Sequence, residues 1–263
     1  MLRIYELDIL CPICHKPDYC LVAEDGTACI CTRISEGSVK KCGRAGWLHV
    51  LKPGQFTPKQ LKPTRKPPIN WDALHKLYRD KLSAANSKLN LGLKKTTLLQ
   101  FGMGFDGQGF TFPMVSPSQD IIGMQIRYPD GKKRVVKGSS CGLFIPRPLN
   151  INDRILLISE GMSDAAVLTE MGYGAIGRYN CCSGQEEVKN FVQLYDDLID
   201  KVIIVSDRNP AEQAGAKEVA KCVQQVKPTL VIIPEKAKDI REAYLNGITK
   251  QIFDKIVGSK NGY

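Results

Sequence analysis

The chain has 263 residues, 43% hydrophobic and 24% charged, enough to bury a core and leave room for about two domains. No apolar run approaches the roughly 20 residues needed to cross a bilayer. The start, MLRIYELDILC, carries acids where a secretory signal has basic residues and an apolar core, so a cytoplasmic protein with no membrane partner is expected. The formal net charge of +10 is unevenly spread: residues 1 to 150 hold 23 Lys and Arg against 11 Asp and Glu, and residues 151 to 263 hold 14 against 16. The first part is therefore expected to attract polyanions.

Six of the ten cysteines lie in the first 42 residues, and without a secretory signal that density favours a metal site over disulfides. The stretch YCLVAEDGTACICTRI reads as a hairpin turning at Glu24-Asp25-Gly26. Cys11-Pro-Ile-Cys14 is a C-x2-C knuckle whose thiolates can grip one tetrahedral zinc ion. One hairpin separates it from Cys31. Position 34 is Ile, so the usual second knuckle is missing, and Cys42, which precedes Gly43, is the expected fourth ligand. Cys20 and His49 are its rivals, and Cys29 is read as a packed or exposed thiol. A unit of this size needs such a staple to fold.

Residues 52 to 70 contain five prolines, five basic residues and no acid, which predicts a semi-rigid basic linker. The expected domains are thus 1–51, a zinc ribbon; 52–70, the linker; 71–150, a basic α+β unit; and 151–263, an α/β unit. The third begins with a helical pattern, WDALHKLYRDKL, then GLKKTTLLQFG, then strand-like GFTFPMV, DIIGMQIRY and KKRVVKG. The fourth alternates strand and helix from RILLIS through KVIIVS and TLVIIP, which specifies a parallel sheet covered by helices.

RILLISEG and KVIIVSDRNP each end on an acid, which places Glu160 and Asp207 at the carboxyl edge of that sheet, where open α/β sheets bind ligands. Two such acids can share a hard cation, Mg2+ or Mn2+. Asp164 lies four residues after Glu160 at a helix entrance, so one turn brings their carboxylates to the same side; it also complements the helix macrodipole. Asp207 and Asn209 suit capping as well as ligation. Several other motifs carry no chemistry. Gly102-x-Gly104-x-x-Gly107 lies between a helix and a strand, the reverse of a dinucleotide fingerprint, and reads as a turn. His75 reads as packing, and Cys181-Cys182 is a spacing poorly suited to one metal.

The segments EGMSDAAVL and VSDRNPAEQAG resemble the TOPRIM domain of bacterial and phage primases, topoisomerases and some nucleases. Its pattern is Glu-Gly after one strand and Asp-x-Asp after another, matched here by Glu160-Gly161 and Asp207-x-Asn209. Asn209 departs from that pattern, keeping a neutral oxygen but lowering the charge that draws in a second cation; Glu212 can compensate from the loop. A later Lys-Asp of the primases is similar to Lys238-Asp239. The stretch from LGLKKTTLLQFG to GLFIP is similar to the basic subdomain of DnaG-like primases, and Arg127 and Lys137 stand at positions linked there with nucleotide and template binding.

The resemblance implies a zinc-ribbon DNA primase. In it Glu160, Asp164, Asp207 and Asn209 hold Mg2+ or Mn2+ against an incoming NTP, and Arg127, Lys133, Lys137, Lys238 and Asp239 attend nucleotide or single-stranded DNA template. No P-loop is visible, so such a primase needs a separate replicative helicase. The rival readings are a TOPRIM nuclease and a catalytically weakened DNA-binding replication protein.

Overall fold

The computed structural model describes residues 1–7, 9–53, 69–84, 89–180, 183–234 and 236–259. Most of the expected linker at 52–70, and both Cys181 and Cys182, lie outside the described residues. Two compact units form, Met1–Pro68 and Ile69–Tyr263.

In the first unit β1 (Leu2–Arg3) leads into a single helical turn, α1 (Ile4–Leu7), and four more strands follow: β2 (Leu21–Val22), β3 (Ala28–Cys31), β4 (Lys40–Lys41) and β5 (Trp47–Val50). They form one antiparallel sheet in the order β1-β2-β3-β5-β4. The β2–β3 hairpin turns where the sequence predicts. The Gly26 amide donates to the Ala23 carbonyl at 2.9 Å, and Gly26 takes the positive φ that a side chain would resist. Beneath the sheet Ile4, Leu7, Val22 and Leu51 pack with four buried cysteines, a core small enough to need a cross-link or a metal.

The second unit opens with α2 (Trp71–Lys81) and α3 (Lys95–Gln100). Asn70 caps the first by accepting from the Ala73 amide at 3.0 Å. Five antiparallel strands follow: β6 (Gly104–Phe105), β7 (Phe110–Val115), β8 (Ile121–Arg127), β9 (Lys133–Val135) and β10 (Leu143–Phe144). Strands and helices then alternate: β11 (Ile155–Glu160), α4 (Met162–Glu170), β12 (Gly174–Arg178), α5 (Gln185–Leu194), β13 (Lys201–Val205), α6 (Pro210–Val223), β14 (Thr229–Ile232), α7 (Ile240–Leu245) and α8 (Lys250–Ser259). All nine strands join one sheet, β14-β13-β11-β12-β10-β7-β8-β9, with β6 beside β7. Its β14, β13, β11 and β12 are parallel, and β10 pairs antiparallel with both β12 and β7, which joins the two halves.

Burial explains the uninterrupted apolar runs. Parallel strands are covered on both faces, so neither set of alternate side chains is free to be polar. Leu156, Ile158, Val202 and Ile204 pack against Val188 and Phe191 of α5 and Val219 and Val223 of α6. Leu157, Ile203 and Val205, one residue out of step, pack against Val167 and Leu168 of α4, Ile240 of α7 and Phe253 of α8. The other side of α4 is buried too: Met162, Ala165 and Ala166 meet Phe110, Phe112 and Met114 of β7 and Leu98 of α3. His75 of α2 packs as expected, its Nε2 2.9 Å from the Gly102 carbonyl oxygen, and the glycines at 102, 104 and 107 serve a turn around β6. Among the described residues no helix is long and apolar enough to cross a membrane.

Candidate active site and metal centre

Glu160 is the last residue of β11, and Asp207 lies two residues beyond β13. These strands are adjacent and parallel, with Ser159 opposite Val205, so both acids leave the same edge of the sheet. The turn after Glu160 is tightly determined. Gly161 has φ +84°, and a Cβ on Gly177 of the neighbouring strand would meet the Gly161 carbonyl oxygen at 2.4 Å. The Gly161 amide donates to the Arg178 carbonyl at 2.8 Å, which fixes the turn against β12. It delivers Asp164 into the first turn of α4, where only 7% of the residue is exposed.

These acids face a cleft of about 820 Å³ lined by six acidic and six basic residues. Glu160, Asp164, Asp207, Asn209, Arg127, Lys133, Lys238 and Asp239 all line it, so eight of the expected positions converge from five separate stretches of chain. Arg127 closes β8 and Lys133 opens β9 directly opposite, so the antiparallel half supplies a basic wall to the acids of the parallel half. Asp239 caps α7 by accepting from the Glu242 amide at 2.7 Å, and its other oxygen lies 3.6 Å from Lys238 Nζ.

Burial pushes the Asp164 carboxyl up to about 7, with Asp239 adding repulsion against the pull of Arg241 and Lys133. Burial also pushes Asp207 up to about 8, helped by the charges of Asp164, Glu212, Asp239 and Glu160. Acids held this far above their ordinary range are starved of positive charge. Asp164 Oδ1 is buried with no hydrogen-bond partner among the described residues. A divalent cation answers both deficits. Among the described residues no three of these carboxylates bring oxygens within 4.8 Å of one another.

The raised values fix a pH response. An acid that is protonated in the fold and ionised when unfolded makes folding take up a proton, so stability falls as pH rises from about 4 to about 8. Asp207→Asn cannot ionise. In buffer without added divalent cation, urea unfolding of this variant is expected to lose less stability between pH 5 and pH 8 than wild type, by on the order of 1 to 3 kcal/mol. Parallel curves would contradict the raised Asp207.

Two expected site residues are placed differently. Lys137 lies on an exposed turn after β9 and is not among the cleft-lining residues. Asn209 lines the cleft, but its Oδ1 accepts from the Glu212 amide at 3.0 Å and caps α6, so its oxygen is turned to the helix and not offered to a cation. Glu212, expected on a loop, is in the first turn of that helix. Tyr179, Arg208, Lys236 and Arg241 line the cleft without having been singled out. Arg241 had a legible signal: a cation in the first turn of a helix opposes the macrodipole, so its position there asks for another reason.

In the first unit the sulfurs of Cys11, Cys14, Cys20 and Cys31 lie within 4.8 Å of one another. Cys14 and Cys20 are 3.7 Å apart, against about 3.8 Å for the edge of a tetrahedron with Zn–S bonds of about 2.3 Å. The set fits zinc. The expected fourth member, Cys42, is displaced by Cys20. Hairpin pairing of Leu21 with Ile30 puts Cys20 beside Cys31, whereas Cys42 follows edge strand β4, beyond β5 from β3. The amides that turn toward sulfur are those of Arg33 and Ile34, which reach Cys31 at 3.4 and 3.3 Å. Arg33 also reaches Cys14 at 3.6 Å while paired with Asp18. The rival His49 is occupied, its Nε2 2.9 Å from the Ile34 carbonyl oxygen, and Cys29 is buried beside the cluster, 3.8 Å from Cys11.

No protein-family model matches this chain, and no curated protein matches it. Solved structures do match in architecture. The primase fragment of the bacteriophage T7 primase-helicase protein aligns over 98% of this chain and 99% of its own, with TM-score 0.52 and 18% identity. A DnaG primase catalytic domain bound to single-stranded DNA aligns over 72% of this chain and 77% of its own, with TM-score 0.56 and 14% identity. The Aquifex aeolicus primase, with zinc-binding and RNA polymerase domains, aligns over 72% and 59%, with TM-score 0.57 and 13% identity. At such identities the shared property is the arrangement of the chain, and this polypeptide has a DnaG-like primase fold.

Proposed function

We propose that this chain is a DNA primase that joins NTPs into short RNA primers on single-stranded DNA during phage, plasmid or mobile-element replication. The observation that carries the reading is the cleft in which Glu160, Asp164 and Asp207, from the parallel half of the sheet, face Arg127 and Lys133 from the antiparallel half. A cleft that gathers acids and bases together suits a substrate that brings both phosphate and its counter-cation. In this reading residues 151–263 are the TOPRIM domain and 71–150 the basic subdomain.

Glu160 and Asp207 would hold Mg2+ or Mn2+, with Asp164 backing them from the floor of the cleft. When bound, the metal lowers the pKa of the primer 3′-hydroxyl and neutralises charge on the departing pyrophosphate. The 3′ oxygen attacks the α-phosphorus of the incoming NTP, and the bond to pyrophosphate breaks. Arg127, Lys133 and Lys238 steady the triphosphate, Lys137 meets template outside the cleft, and Asp239 holds Lys238 and the start of α7 in place. The four-thiol cluster holds structural zinc, and the zinc ribbon, tethered by residues 52–70, engages template. A separate helicase opens the duplex.

Labelled NTPs, single-stranded DNA and Mg2+ or Mn2+ are expected to give oligoribonucleotides a few nucleotides long. Salt-sensitive DNA binding that is unchanged by Glu160→Ala, with no product at any metal concentration, would instead fit a non-catalytic replication protein.

A further inference from the structure

Five cysteines meet in the small core beneath the first sheet, one more than a tetrahedral ion takes. Cys11, Cys14, Cys20 and Cys31 supply the four sulfurs of the metal group. Cys29 stands outside that group, yet it is fully buried and its sulfur lies 3.8 Å from that of Cys11. The strand explains the placement. Cys29 and Cys31 alternate with Ile30 on β3, so both turn to the same face of the sheet.

We propose that Cys29 is a redox partner of the zinc site: under a hydroperoxide it forms a disulfide with Cys11, zinc is released, and the first unit loses the staple that holds it folded. This rests on the zinc assignment and is independent of the catalytic reading. Three observations support it. Cys14 and Cys20 are as close as Cys11 and Cys29, at 3.7 Å, but joining two ligands withdraws two donors from the ion at once, whereas joining Cys11 to Cys29 withdraws one and uses a thiol outside the metal group. Cys14 is only half-buried, so the cluster has a side that a small oxidant can approach. The core around it holds too few aliphatic side chains to replace the metal, so the loss of one ligand is amplified into unfolding of the whole unit.

The chemistry balances without any further group. The Cys11 thiolate attacks the outer oxygen of the peroxide, the O–O bond breaks, and the departing oxygen takes a proton from water and leaves as an alcohol or as water. Cys11 is then a sulfenic acid. The Cys29 sulfur attacks the Cys11 sulfur, the S–S bond forms as the S–O bond breaks, and the Cys29 proton leaves with the hydroxide as water. The two thiols together give up two electrons and one peroxide is reduced. A dithiol reverses the disulfide by exchange, and the four-sulfur group can be refilled with zinc. A Cys29 that only fills space would leave oxidation to pairs of ligands, and alanine in its place would not slow the reaction.

Treatment of the zinc-loaded full chain with hydrogen peroxide distinguishes the two roles. Released zinc is followed with a metal-sensitive dye, and disulfides are mapped by peptide mass spectrometry after the remaining thiols are blocked. In wild type the first disulfide is expected to join Cys11 to Cys29, with one zinc released for each, and dithiothreitol with added zinc is expected to restore the starting state. Cys29→Ala is expected to bind one zinc and to release it about fivefold more slowly or slower still. Cys42→Ser is expected to behave as wild type in both readouts. A first disulfide between two of the four ligands, or release from Cys29→Ala at the wild-type rate, overturns the proposal and leaves the zinc assignment standing. The wild-type disulfide map reads the pairing without any substitution, so a Cys29→Ala chain that failed to fold would not shield the proposal. No bound zinc in wild type overturns both.

Discussion

Glu160→Gln is expected to reduce primer synthesis by at least a thousandfold while leaving Tm within a few degrees and single-stranded DNA affinity within about twofold. The size follows from the position. A thousandfold corresponds to about 4 kcal/mol of barrier, within what a divalent cation supplies by stabilising an attacking oxygen and a leaving pyrophosphate. Glu160 cannot be replaced by a neighbour swinging in, because the Gly161 turn is pinned by the close approach of Gly177 and by the bond to the Arg178 carbonyl. DNA binding should survive, because attraction of a phosphate backbone comes from the basic excess of residues 1 to 150 and loses nothing when a negative charge is removed. Asp239→Asn is the matched control: asparagine also caps helices, so α7 stays anchored, and a far smaller loss is expected. Retention of more than a tenth of wild-type activity in Glu160→Gln would sink the assignment of that edge of the sheet as the catalytic one.

Much of the sheet could be read before folding, because its strands are chemically extreme. ILLI and VIIV are apolar at every position, as expected of a parallel strand covered by helices on both faces. The acids that ended those runs were legible for the same reason, since a chain leaving a parallel sheet at its carboxyl edge has one direction in which to point them. What the sequence hid were competitions between local partners. Asn209 carries the same oxygen whether it ligates a cation or caps α6, and only the 3.0 Å bond to the Glu212 amide decides. Cys20 lost to Cys42 on spacing and the following glycine, although the hairpin register, with its turn already placed at residues 24 to 26, would have set Cys20 beside Cys31. Lys137 looked equivalent to Lys133 in composition. β9 ends at Val135, so Lys133 stays opposite Arg127 while Lys137 is carried off on the following turn.

The thiol cluster makes the most severe prediction for stability. The first unit has a core of a few aliphatic side chains, and its largest strands are four residues long, too little to balance the conformational entropy of some fifty residues. Structural zinc in comparable small units is worth an apparent 10 to 16 kcal/mol or about that at neutral pH, so it decides whether this unit folds. Cys20→Ser is therefore expected to lose stoichiometric zinc and to leave residues 1 to 53 open to protease, while Ile69–Tyr263, a separate compact unit, stays resistant and keeps its thermal transition. Chelation of wild type should give the same digest. Cys42→Ser is expected to retain one zinc per chain and wild-type resistance, since Cys42 stands outside the four-thiol group. Cys29→Ser, beside Cys11 in the core, should soften packing without releasing metal. Zinc retained by Cys20→Ser and lost by Cys42→Ser would mean that the β2–β3 register does not govern the ligand set, and the four-thiol assignment would fall with it.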